Sequence, residues 1–60
     1  MTAAELRAKA DGIQAAIEHL LANAGRWSVE DWIALGEMRQ VRDTLLDDAR
    51  ITEAREARHG

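Results

Sequence analysis

Glu56-x-x-His59 is the local spacing in this 60-residue chain that matches half of a carboxylate-bridged metal site. Such a site needs a second copy of the motif and further glutamates facing the inside of a helical bundle. A symmetric dimer would supply the copy, but the apolar seam described below carries no glutamate. The motif therefore reads as a solvated helix end. His19 directly follows Glu18, and adjacent residues on a helix do not face each other, so they chelate poorly as a pair. Asp47-Asp48 has no glycine-bearing calcium loop around it. Ser28 has no histidine at a plausible spacing, and a capping role accounts for it. The chain has no glycine-rich phosphate loop and no cysteine, which excludes disulfides and thiolate zinc sites. A lone hairpin also lacks a concave pocket. The expectation is a non-enzyme with no catalytic residue, no cofactor, no metal and no small-molecule substrate.

A second constellation points to binding. Trp32, Leu35, Arg39, Arg42, Leu46 and Arg50 fall on one stripe of the second half of the chain. Trp and Arg with flanking Leu are the residue types that anchor protein interfaces, so these six are the expected partner-binding residues. The leucines and the tryptophan would anchor a partner, and the arginines would orient its carboxylate or phosphate. Arginine with an aromatic can also grip phosphates and stack on bases. Against nucleic acid stand Asp43, Asp47 and Asp48 nearby, a net charge of −3, and too few helices for a helix-turn-helix. A protein partner is the first expectation and nucleic acid the second.

These side chains need helices to hold them. Ala, Leu, Arg, Glu and Asp dominate, and Pro, Phe and Tyr are absent, which favours helix over strand. The chain turns around at 25–32. Gly25 suits a left-handed C′ position. Ser28 and Asp31 fit a capping box, and Trp27 and Trp32 occupy its hydrophobic-staple positions. Thr2 and Glu5 form a second box, with Met1 and Leu6 in the staple positions. A single domain over 1–60 is expected, with a helix over about 3–24, a turn over 25–28 and a helix over about 29–57 with a fraying tail.

Helix one carries small and apolar residues at Ala3, Leu6, Ala10, Ile13, Ile17, Leu20 and Ala24, alternating steps of three and four. This is a coiled-coil seam. Ala8, Ala15 and Ala22 repeat on the opposite face, where small residues permit close contact with a further helix, although the helix propensity of alanine is the first explanation. Gly12 lies off the seam, where it costs up to about 1 kcal/mol relative to alanine. In helix two, Ala34, Met38, Val41, Leu45 and Ala49 form the natural partner stripe for the seam. The Trp32–Arg50 stripe then lies roughly 80–140° around the helix. Equal pairing ends helix one's partner near Arg50, leaving the residues after it as an overhang.

A chain this short rarely gains more than about 3–5 kcal/mol from its own core. The expected fold class is all-α: an antiparallel two-helix hairpin that dimerises into a four-helix bundle, because one hairpin leaves Trp32, Leu35 and Leu46 partly wet. In layout it resembles small helical-hairpin families such as the Rop-type antiparallel dimers, a likeness that carries no functional residue. No apolar run approaches the roughly 18 residues of a membrane span, and no signal peptide is visible. A cytoplasmic protein is expected. The leading function is an adaptor, assembly factor or inhibitor acting through helix two. A nucleic-acid-binding regulator and an accessory subunit of an enzyme are the alternatives.

Overall fold

The computed structural model describes residues 1–23 and 25–59, with the backbone alone at His59. Two helices, α1 (Ala3–Ala22) and α2 (Val29–His59), pack against each other as an antiparallel hairpin with extents of 50 × 16 × 12 Å. Ala24, expected to close the seam, lies outside the described residues, as does the side chain of His59.

Both helix starts form as their sequences dictate. The Glu5 amide donates to Thr2 Oγ1 at 3.1 Å, and the Thr2 amide donates back to Glu5 Oε1 at 3.4 Å. At α2 the Asp31 amide donates to Ser28 Oγ at 3.3 Å, and the Ser28 amide donates to Asp31 Oδ2 at 2.9 Å. Each box satisfies amides that the helix leaves without partners. The staple also forms: the Trp27 and Trp32 rings meet edge to face, centroids 4.4 Å apart.

The helix stop differs from expectation. Gly25 does not adopt a positive φ. Asn23 closes α1 instead, with its side-chain amide donating to the His19 carbonyl at 2.8 Å and its backbone amide to the same oxygen at 3.1 Å. The Asn23 side chain thus adds a second donor to the carbonyl that takes the last backbone bond of α1, and the helix ends there, two residues before Gly25.

On α1 the seam is as its spacing implies: Ala3, Leu6, Ala10 and Ile17 are buried, with Ile13 and Leu20 half-buried. On α2 the packed side is rotated from the expected stripe. Leu35 and Ala49 are buried, and Asp31, Met38, Arg42, Leu45 and Thr52 are half-buried. That series also alternates fours and threes, so it meshes with the α1 seam. Ala34 and Val41, expected inside, are exposed. The rotation buries Leu35 in place of Ala34, which removes more apolar surface from water. Its penalty is Arg42 in place of Val41, which stays small because the guanidinium reaches sideways to polar partners while its stem packs.

The expected overhang after Arg50 is also corrected. Arg7 pairs with Glu53, and the Ala3 amide donates to Glu56 Oε1 at 3.0 Å. Six residues separate the helices, so the first turn of α2 stands beyond the end of α1. The pairing is therefore displaced along α2 by about one turn, and α2 remains helical to His59.

Candidate interaction surface

The two flanks of the seam differ. Along one, polar side chains join the helices. Arg7 meets Glu53, and Arg42 Nη1 donates to Gln14 Oε1 at 2.6 Å. Arg42 Nε and Nη2 both donate to Asp43 Oδ1, at 3.0 and 2.9 Å. The shallow concavity there is lined by Ala10, Asp11, Gln14, Arg42, Asp43 and Leu46. Along the other flank runs a groove lined by Ile13, Ala34, Glu37, Met38 and Val41, with Val41 49% exposed. Among the described residues no side-chain hydrogen bond or ion pair joins the residues of this groove. It is an apolar channel open to water, directly above the packed core.

The six residues expected to bind a partner separate into two groups. Trp32 is 61% exposed with its edge on Trp27, and Arg39 is exposed. Leu46 is 38% exposed, and Arg50 is exposed and paired with Asp47. These four share an outer flank of α2. Leu35, at 3% exposure, belongs to the core and offers no contact surface, while Arg42 is held within the hairpin by Gln14 and Asp43. Both moved inward with the rotation of α2.

The residues that sequence reasoning placed inside, Ala34, Met38 and Val41, form the open groove with Ile13. A signal for them was present. Asp31, Leu35, Met38, Arg42, Leu45, Ala49 and Thr52 keep an unbroken alternation of fours and threes, whereas Ala34, Met38, Val41, Leu45, Ala49 includes two consecutive fours. Reading it required accepting an arginine on the seam.

Among the described residues no three His, Cys, Asp or Glu side chains stand together to hold a metal ion, and no helix is long and apolar enough to cross a membrane. What remains is a slim rod with two distinct surfaces: an aliphatic groove, and a flank carrying Trp32, Arg39, Leu46 and Arg50. In comparison with known proteins, no family model matches the chain, and neither a curated protein nor a solved structure does so.

Proposed function

We propose that this hairpin is a non-catalytic protein–protein interaction module that self-associates, two copies forming a four-helix bundle, and presents the Trp32 flank of α2 to a different protein. The observation that carries the reading is the contrast between core and surface. Among the described residues three of the six buried hydrophobic side chains are alanines, while Val41, Trp32, Ile33, Leu46 and Ile51 stay substantially exposed. Exposed apolar area of this kind on so small a chain is characteristic of an interaction surface. A hairpin whose core is this small gains stability by covering its groove with another helix pair.

Trp32 and Leu46 provide apolar anchors on the outer flank, and Arg39 supplies an exposed guanidinium beside them. A partner helix carrying apolar residues and a carboxylate fits this pattern. The nucleic-acid reading has less support, because Arg42 is neutralised by Asp43 and Arg50 by Asp47.

Sedimentation tests the reading in two parts. The unmodified chain is expected at twice 6.7 kDa, and Val41→Glu is expected as a helical monomer. Trp32→Ala with Leu46→Ala is expected to keep the dimer mass and lose the protein that the unmodified chain captures from its host. A dimer unaffected by Val41→Glu, or equal capture by both forms, contradicts the corresponding part.

A further inference from the structure

The two helices carry matching columns along the open groove, and the columns indicate what covers it. On α1, Thr2, Lys9, Ala16 and Asn23 recur every seven residues beside the seam; on α2, Ala34, Val41, Asp48 and Arg55 do the same. All eight are exposed. By the helical repeat, both columns lie on the Ile13–Val41 side. The pairings Ala3–Glu56, Arg7–Glu53 and Gln14–Arg42 fix which levels of α1 and α2 coincide. At those levels Asn23 stands across from Ala34, Ala16 from Val41, Lys9 from Asp48, and Thr2 with its capping partner Glu5 from Arg55. Among the described residues no ion pair engages Lys9, Asp48 or Arg55.

From these columns we infer that the groove takes a second copy of this chain, with the two-fold axis running along the hairpin's length. The inference rests on the self-association proposed above and specifies its geometry. A rotation about the long axis preserves level, so α1 of one copy lies against α2 of the other and every neighbouring pair of helices is antiparallel. Each interface then sets small Ala16 against the second copy's Val41. It also sets Lys9 against the second copy's Asp48, and Glu5 against the second copy's Arg55. The symmetry makes each ion pair twice. A two-fold axis across the rod, centred on the same groove, sets α1 against α1 and α2 against α2. Lys9 then faces Asn23, and Asp48 faces Ala34, so neither charge meets its opposite. Charge complementarity selects the lengthwise axis. The other flank stays outward, with Trp32, Arg39, Leu46 and Arg50 free for a different partner.

The test mixes two charge-reversed chains. Lys9→Glu alone sets two carboxylates together twice, and Asp48→Lys alone sets two ammonium groups together twice. Each variant is expected to dimerise roughly tenfold more weakly than the unmodified chain, at unchanged helix content. Mixed together, they form a heterodimer in which both contacts are again of opposite sign, and its dissociation constant returns close to that of the unmodified dimer. A Lys9–Asp48 contact within one chain gives no such recovery on mixing. A spin label at Arg26→Cys supplies an independent readout. The lengthwise axis places both turns at the same end, with labels within about 25 Å of each other given the spacing of packed helices. A crosswise axis centred at the level of Ala16 puts the turns at opposite sides of that level, about 30 Å apart along the rod before the separation of the helices is added. An unmodified dimer with no recovery on mixing and distant labels overturns this geometry and leaves self-association standing. An unmodified chain that remains monomeric at every concentration overturns both.

Discussion

The Glu56 carboxylate accepts a hydrogen bond from the Ala3 amide at 3.0 Å, joining the last turns of α2 to the first residue of α1 across 53 positions of sequence. That amide is one of the four that a helix start leaves without an internal partner. The chain thus caps its first helix from both sides, with Thr2 from within and Glu56 from across the hairpin. Replacing Glu56 by Ala is expected to lower stability by about 0.5–1.5 kcal/mol, the net contribution of a typical internal hydrogen bond. Glu56→Gln keeps an acceptor and should lose less. Urea unfolding followed by circular dichroism measures both, and equal losses would argue against the contact.

The rotation of α2 makes opposite predictions for two leucines that the sequence alone places on one stripe. Leu35→Ala empties a site at 3% exposure and should destabilise the hairpin by about 2–4 kcal/mol. Leu46→Ala removes a side chain that is 38% exposed and should cost well under half of that. Thermal melts of the two variants rank them directly. A larger loss for Leu46→Ala would place the seam on the wrong face.

The two tryptophans carry unequal weight at the turn. Trp27 is half-buried and its buried indole Nε1 has no hydrogen-bond partner among the described residues, whereas Trp32 is largely exposed. Trp27→Ala is expected to cost about 2 kcal/mol, less than a fully buried aromatic because part of the ring already meets water. Trp27→Phe should cost under about 1 kcal/mol, since the lost indole N–H made no bond that would be missed. Trp32→Ala should cost about 0.5–1.5 kcal/mol, the contribution of an edge-to-face pair. Denaturant midpoints across this series check the order, and a Trp32→Ala loss exceeding that of Trp27→Ala contradicts it.

Gly12 and Gly36 stand inside α1 and α2, where a Cβ would meet no atom within 4 Å. Alanine at either position should stabilise the hairpin by about 0.5–1 kcal/mol through reduced freedom of the unfolded chain. In the proposed dimer Gly36 lies away from the groove, so its gain should persist without a change in mass, whereas Gly12 shares the heptad column of Glu5 beside the groove, so its alanine variant also reads how closely the second copy approaches. Loss of stability on Gly12→Ala or Gly36→Ala would mean that another backbone approaches there.

The capping boxes, the tryptophan staple and the α1 seam were readable because each is local: residues three, four or seven apart decide it. The facing side of α2 is a choice between two stripes, settled by contacts with a helix distant in sequence. Leu35 against Ala34 and Arg42 against Val41 are competing terms, and the partners that admit Arg42 become visible only once Gln14 stands across from it. The helix stop misled for a similar reason. Gly25 is a good left-handed residue, but α1 ends at Ala22 with Asn23 as its cap, two residues short of it. The four outer members of the partner-binding set, Trp32, Arg39, Leu46 and Arg50, stay at the surface, and the groove of Ile13, Ala34, Met38 and Val41 was missed because its residues were assigned to the core.

In the proposed assembly the Ile13–Val41 groove is covered by another helical pair. Sedimentation equilibrium of the unmodified chain beside Val41→Glu, over a dilution series, tests it most directly. A mass of twice 6.7 kDa that falls on dilution is expected for the first, and a single helical chain for the second. A stably folded 6.7 kDa species at every concentration, identical for both chains, would contradict it.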